Sequence, residues 1–274
     1  MKKKGMQRIR EFAVMALVVT VLLGTQSCNK EPVEDRPDLP PIESLLMDFS
    51  DFSSSAGDTK ASVESYVNFN HAFTTLAFWT GATTLTMALP VTAYGYALQQ
   101  TPEYLGNNKW EWSFEFTWNS VNYKATLTGT RISNEEFTME MLIGLAALPG
   151  EGVLWFDGTC RYDHTHASWT IYSEGTVAGL EIEWTKDYEL GDGSLQYTYV
   201  MPDEEETGSY LIYEYAPEEL YDASFTVSLA AGTTMIQWDT ASKAGHVQDE
   251  VKFQDTSWHC WDALVNNLAD ISCE

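Results

Sequence analysis

The chain has 274 residues, of which 40 are acidic and only 15 are lysine or arginine, so its formal net charge is −25 at pH 7. Such an acidic excess excludes nucleic-acid binding, which requires basic side chains to neutralise phosphates. The aromatic content is high, with 10 Trp, 14 Tyr and 12 Phe, and it favours β-strands and a large buried core.

The first 28 residues have the three-part pattern of a secretory signal peptide. Five basic residues occur among the first ten, an apolar run occupies residues 12–23, and small residues precede Cys28. This run is shorter than the stretch of about 20 residues that spans a bilayer. The segment resembles a bacterial lipoprotein signal. The resemblance implies that residues 1–27 are a signal peptide, that Cys28 carries the lipid, and that a membrane is a partner.

Residues 28–43 are predicted to be the lipidated cysteine and a disordered tether, because prolines and acids dominate and apolar side chains are few. The charged residues after Cys28, Lys30 and Glu31, resemble export signals of surface lipoproteins in some Gram-negative anaerobes. This implies an outer-membrane location, facing the periplasm or the cell surface. Removal of residues 1–27 would take away five of the 15 bases and one of the 40 acids, leaving a net charge of −29.

Residues 44–274 are predicted to form a single β-rich domain that begins with a helical hairpin over 62–100. No Asp, Glu, Lys or Arg occurs from Ser65 to Pro102. Apolar residues recur there at helical spacing, Gly81 is placed to end a first helix, and Pro90 should kink or restart the second. A hairpin that is apolar on nearly every side belongs against a sheet. The residues expected to be buried are Phe69, Phe73 and Trp79.

From Lys109 onward, apolar residues recur at every second position. Trp110 and Trp112 alternate with Glu111 and Ser113, which indicates a strand with one buried and one wet face. About ten such strands, separated by turn signals, are predicted over 109–254. The predicted fold class is therefore α+β and mainly antiparallel β. Its meander forms a curved sheet, or a partial or closed barrel, with the helical hairpin packed on it.

The C-terminal residues 260–272 could form either a helix or a hairpin. Their apolar residues recur at helical spacing, which favours a helix. A straight helix would hold Cys260 and Cys273 about 20 Å apart, too far for a disulfide. In that case Cys160 pairs with Cys260 or Cys273, and one thiol is left over. A hairpin that turns at Asn266-Asn267 would instead bring Cys260 opposite Cys273.

Two histidines form the best candidate metal site. His164 and His166 would point to the same side if both lay on a strand, and two imidazoles in that arrangement suit a metal ion. A third ligand would have to come from elsewhere in the chain. The alternative is a solvated turn between two strands, which the neighbouring Asp163 and Thr165 favour.

Further candidates are a set of tyrosines and one threonine. Asp239-Thr240-Ala241 resembles the O-glycosylation sequon of exported proteins in some Gram-negative anaerobes, which implies Thr240 as the acceptor. The tyrosines lie on strands that should pair, and they could either stack a sugar or pack across the sheet. They are Tyr197, Tyr199, Tyr213 and Tyr215.

The functional prediction is a non-enzymatic, outer-membrane-anchored binding module for a neutral glycan or an apolar ligand. The sequence contains no Gly-x-Ser-x-Gly elbow and no glycine-rich phosphate loop after a strand, and no cofactor is predicted. Two alternatives remain open: an envelope structural or interaction protein without a small ligand, and a hydrolase whose site is assembled only in space. An interior of the curved sheet or barrel that is filled by protein side chains would favour the structural alternative.

Overall fold

The structure is a computed structural model, and the compact unit that it describes begins at Arg36. The predicted signal peptide and Cys28 lie outside the described residues. The residues described are 36–47, 52, 66–173, 175–262 and 268–273.

One long helix and fourteen strands make up most of the described chain. The helix α1 covers Val67–Ala97, a 3-10 turn covers Ile42–Ser44, and the short helix α2 covers Glu250–Phe253. The strands are β1 (Glu103–Gly106), β2 (Lys109–Trp118), β3 (Val121–Arg131), β4 (Glu136–Leu145), β5 (Val153–Arg161), β6 (His166–Ser173), β7 (Val177–Lys186), β8 (Gly193–Tyr199), β9 (Tyr210–Tyr215), β10 (Ala223–Leu229), β11 (Gly232–Trp238), β12 (Gly245–Asp249), β13 (His259–Trp261) and β14 (Asp270–Ile271).

All fourteen strands form one sheet, in which each strand pairs with the next strand in the chain. Every pair is antiparallel, so the predicted meander is confirmed. The sheet ends at β1 and β14, and within the described residues no pairing joins these two strands. The closed barrel that was one form of the prediction is therefore not what the structure shows.

The strands alternate between an inner face, which packs on the core, and a polar outer face. On β2, Trp110 and Trp112 are buried on the inner face, whereas Ser113 on the outer face is exposed. Large apolar residues occupy the inner face of most strands, among them Leu127, Met139, Phe156, Trp169, Ile182, Leu195, Phe225 and Ile236. The period-two pattern of the sequence thus produces one continuous buried face.

The predicted helical hairpin is a single continuous helix, and this is a correction. Gly81 lies in an exposed part of α1 and continues the helix at a cost of about 1 kcal/mol. Pro90 also lies inside α1, where it removes one helical hydrogen bond. Residues on both sides of Pro90, including Leu89 and Ala93, are buried. Their packing outweighs the local signals to break the helix.

The predicted burial of the helix aromatics is confirmed for Phe69, whereas Phe73 and Trp79 are only partly buried against the core. The helix contacts both ends of the sheet. Phe69 packs edge-on against Trp261 of β13, and Tyr96 packs against Phe114 of β2.

These contacts require the sheet to curve. Phe69 and Tyr96 are about 40 Å apart along the helix, at 1.5 Å per residue. Strands β2 and β13 would be about 53 Å apart in a flat sheet with a strand spacing near 4.8 Å. None of residues 77–86, in the middle of α1, is buried, as some would be if the helix lay along a planar sheet. The sheet therefore bows away from the middle of α1, which lies on its concave inner face.

The segment 36–47 also fills the inner face. The Tyr94 hydroxyl donates a hydrogen bond to Pro40 O at 2.7 Å, and the Tyr197 hydroxyl donates to Leu45 O at 2.8 Å. Pro40 and Leu45 are themselves buried. Residues 36–43 were predicted to belong to a disordered tether. They dock instead, because extended, proline-rich chain fits against the aromatic residues of the inner face.

The C-terminus is a hairpin, and this is a second correction. Strands β13 and β14 pair antiparallel, with Cys260 opposite Ile271. A disulfide joins Cys260 to Cys273, whose Cα atoms are 5.3 Å apart. Cys160 is a free, fully buried thiol on the inner face. The predicted helix over 260–272 and the predicted pairing of Cys160 are therefore wrong.

Packing of Trp261 explains why the hairpin forms despite the helical stripe. Its indole is buried against Phe52 and Phe69, and its Nε1 donates a hydrogen bond to Lys243 O at 2.7 Å. The pairing of β13 with β12 holds Trp261 in this position. These contacts with distant residues outweigh the local helical pattern.

The C-terminal hairpin also caps the helix. Asp270 of β14 accepts hydrogen bonds from the backbone N–H groups of Val67 and Asn68, each at 3.0 Å. Asn68 Nδ2 in turn donates to Cys260 O at 2.9 Å. Tyr66, at the N-cap position, provides no side-chain cap. A carboxylate from the far end of the chain therefore stabilises the positive end of the helix dipole.

Candidate acidic groove on the outer sheet face

A groove of about 560 Å³ crosses strands β3 to β7 on the outer face of the sheet. Glu140 on β4, Asp157 on β5, and Glu181 and Glu183 on β7 supply its carboxylates. Its hydroxyl-bearing lining residues are Thr130, Thr138, Thr159, Ser168 and Thr170. We refer to it as the acidic groove.

The strand register brings these side chains together in two adjacent rows. One row runs Glu140, Asp157, Thr170 and Glu181, each directly opposite the next on the neighbouring strand. The next row along the strands consists of Thr138, Thr159, Ser168 and Glu183. Because opposite residues are about 5 Å apart, each row offers a closely spaced line of polar atoms.

The floor of the groove depends on a glycine. A Cβ at Gly158 would lie 2.3 Å from Ser168 O and 2.5 Å from Trp169 Cε3, so no other residue fits there. Trp169 packs edge-on against Phe156 and Tyr94 in the core. The backbone under the acidic groove is therefore held against α1.

The charges in the groove are only partly compensated. Burial raises the pKa of the Glu183 carboxyl, and the negative charge of the nearby Glu181 raises it further. His166 lowers the pKa of Glu183, and its Nε2 lies 3.3 Å from Glu183 Oε2. The Tyr172 hydroxyl donates to Asp157 Oδ2 at 2.9 Å; burial and this hydrogen bond raise the pKa of Tyr172. None of the described lining residues is Lys or Arg.

This composition suits a hydroxyl-rich ligand without negative charge. Carboxylates accept strong hydrogen bonds, and Thr and Ser hydroxyls can both donate and accept. A phosphate or an acidic sugar would be repelled. The acidic groove does not form a metal site: within the described part of the chain no group of three or more His, Cys, Asp or Glu is placed to hold an ion.

The two histidines predicted as metal ligands engage different partners. His164 lies in the turn before β6 with a φ of 54°, and its Nε2 is 3.1 Å from Asp38 O. His166 is the first residue of β6 and interacts with Glu183. One imidazole therefore contacts the docked N-terminal segment and the other contacts the acidic groove, so the structure does not present them as a strand-borne pair.

The four candidate tyrosines lie on the inner face of β8 and β9. Tyr197 is 1% exposed, and Tyr213 stacks on Trp238. Tyr199 is directly opposite Leu180, and Tyr215 is directly opposite Ala223. Tyr197 and Tyr213 therefore pack within the core, the second of the two roles that the sequence left open. A sugar contact of Tyr199 or Tyr215 stays a prediction.

Thr240 lies in the loop between β11 and β12, where it is half-buried. Its hydroxyl donates to Asp222 Oδ2 and its backbone N–H donates to Asp222 Oδ1, both at 2.6 Å. These bonds tie two loops together at one end of the sheet. O-glycosylation of Thr240 stays a prediction, and it would require the hydroxyl to leave Asp222.

Sequence reasoning missed the acidic groove because acids are numerous along the whole chain. The one available signal was Glu181 and Glu183, which lie two residues apart on a strand and so share a face. Their partners Glu140 and Asp157 become visible only when the register of β4 to β7 is known. Comparison with known proteins adds no further assignment: no family model, no curated protein and no solved structure matches this chain.

Proposed function

We propose that the chain is a lipid-anchored, non-enzymatic binding module of the outer membrane that recognises a neutral glycan in the acidic groove. The observation that carries this proposal is the pair of polar rows across β4 to β7. They offer many hydrogen-bonding groups at a spacing that suits a chain of sugar hydroxyls. The ring of Tyr172, held by Asp157 beside the groove, could add apolar contact with a sugar face.

The filled inner face argues against an apolar ligand. Helix α1 and the segment 36–47 occupy the concavity where such a molecule would be expected. The same observation favours a second candidate, an envelope structural or interaction protein without a small ligand. Binding of a neutral glycan to the acidic groove separates the two.

Replacement of Asp157 by Asn or Glu181 by Gln should weaken glycan binding about tenfold or more, since hydrogen bonds to charged groups contribute about 1.5–3 kcal/mol. A neutral oligosaccharide array followed by titration calorimetry measures the effect. Glu214→Gln is the matched control, because Glu214 is an exposed acid of the outer face on β9, outside the groove.

Equal affinity of the groove variants and the control would contradict the assignment of the groove. The absence of any binding on the array would favour the structural candidate. Hydrolysis of a glycan that is abolished by Asp157→Asn would show that the site is enzymatic.

The lipid anchor is supported by the signal-like order of residues 1–28. Alanine cannot carry acyl chains, and two or more of these are needed for stable anchoring. We therefore expect Cys28→Ala to leave the precursor uncleaved or to release the protein from the membrane fraction. Intact mass and membrane fractionation measure this. A variant with unchanged mass and unchanged membrane association would contradict the anchor.

A further inference from the structure

The middle of α1 is exposed although both of its ends pack on the sheet. Every residue from Ala77 to Thr86 is exposed or half-buried, whereas Leu76 and Met87 on either side are buried. Phe78 is 65% exposed and Leu85 is 80% exposed. Because they are seven residues apart, both side chains lie on the same side of the helix. We call residues 77–86 the exposed helix segment.

This segment is uncharged on a strongly acidic protein. All 31 residues of α1 lack Asp, Glu, Lys and Arg, while the whole chain has a net charge of −25. Charged residues normally cover an exposed helix face. The surface thus has the composition of a contact surface rather than of a solvated one.

Three of the four threonines of the segment donate their hydroxyls to the helix backbone. Thr80, Thr83 and Thr86 each donate a hydrogen bond to the carbonyl four residues earlier, at 2.7, 2.8 and 2.9 Å respectively. A hydroxyl bonded in this way needs no water, so its transfer to an apolar environment costs less. The segment is therefore more apolar than its sequence indicates.

The position of the N-terminal segment links this surface to the proposed anchor. Pro40 contacts Tyr94, and Leu85 precedes Tyr94 by nine residues, about 14 Å of helix. Cys28 precedes Arg36, the first described residue, by eight residues, which extended chain spans in about 25 Å. A lipid on Cys28 would therefore hold Arg36, where the described domain begins, within about 25 Å of the bilayer.

From these observations we propose that the exposed helix segment rests on the surface of the bilayer that holds the lipidated Cys28, with Phe78 and Leu85 at the boundary between headgroups and acyl chains. The proposal rests on the lipid anchor of the proposed function. An uncharged helix is not repelled by anionic headgroups, whereas the acidic remainder of the surface is. Since α1 lies on the inner face, the acidic groove on the outer face would point away from the membrane, towards ligands in solution.

A fluorophore that reports lipid contact tests the proposal. Leu85→Cys and Leu220→Cys are labelled with a nitrobenzoxadiazole probe under non-reducing conditions, where Cys160 is buried and the other two described cysteines form a disulfide. Leu220 is the matched control because it is also 80% exposed, in the loop between β9 and β10. The lipidated protein is reconstituted into phosphatidylcholine vesicles that contain doxyl-labelled lipid.

We expect doxyl lipid to quench the probe at position 85 at least threefold more than the probe at position 220. Adding Phe78→Ser to the Leu85→Cys variant should reduce this difference. Equal quenching at both positions overturns the proposal. So does protection of the position-85 probe that rises with protein concentration in the absence of vesicles, because that result assigns the surface to a second copy of the chain.

A second version of the experiment separates this proposal from the lipid anchor. A chain that begins at residue 28 contains every described element, and with Cys28→Ser it can be held on nickel-chelating lipid by an N-terminal histidine tag. Selective quenching at position 85 in this format supports the helix contact even if Cys28 proves not to be lipidated. Equal quenching at positions 85 and 220 in this format overturns the helix contact even if lipidation is demonstrated.

Discussion

Replacement of Tyr94 by Ala is expected to lower the free energy of unfolding by about 3–5 kcal/mol, the typical cost of removing a buried aromatic side chain. Tyr94 is fully buried and packs edge-on against Phe156 and Trp169, with ring centroids about 6 Å away. Its hydroxyl also holds Pro40. Chemical denaturation at equilibrium measures the change. In a domain of this size it corresponds to a fall in melting temperature of roughly 10 °C.

Two further variants separate packing from hydrogen bonding. Tyr94→Phe keeps the ring and should cost only about 1 kcal/mol, the usual net contribution of one hydrogen bond. Tyr188→Ala, in the loop between β7 and β8, is the control for an exposed tyrosine at 59% exposure and should change stability by less than about 0.5 kcal/mol. If Tyr94→Ala unfolds at the wild-type midpoint, α1 is not part of the core.

Reduction of the disulfide should have the second large effect. The bond between Cys260 and Cys273 closes a loop of 13 residues, for which the loss of loop-closure constraint costs about 3 kcal/mol. Among the described residues two pairs join β14 to β13, so release of β14 would also remove the Asp270 cap from α1. Urea unfolding with and without dithiothreitol measures the total loss.

Hydrogen exchange at the Val67 and Asn68 amides measures the cap directly, and both amides should exchange faster after reduction. Asp270→Asn keeps the disulfide while weakening the cap, and should cost about 1 kcal/mol. A double variant, Cys260→Ser with Cys273→Ser, is the control for the reductant and should not respond to it. Unchanged amide protection in the reduced protein would refute the link between hairpin and helix.

The strand pattern could be predicted from the sequence because it depends on neighbouring residues. Alternation of Trp110 and Trp112 with Glu111 and Ser113 places β2, and its two faces follow directly. Asn119 and Ser120, two residues of types common in tight turns, separate β2 from β3, and both adopt positive φ values, 48° and 65°. Together, such local signals were sufficient to predict an antiparallel meander.

Elements whose local signals competed with distant contacts could not be predicted. Gly81 and Pro90 locally favour two helices, but packing of both ends of α1 on the sheet keeps a single one. The stripe after Cys260 locally favours a helix, but pairing with β12 and burial of Trp261 produce a hairpin. In both cases many contacts between distant residues exceed a local preference of about 1–3 kcal/mol.

By itself, the sequence determined the acidic character, the signal-like N-terminus and the two-faced strands, since each is a property of composition or of adjacent residues. Only the tertiary structure decided which face of the sheet is covered, which cysteines pair and which acids share the groove. Glu140, Asp157 and Glu181 are separated by 17 to 41 residues in the chain and become neighbours through strand register. Register is set by pairing and burial along the whole sheet, and no short stretch of sequence contains that information.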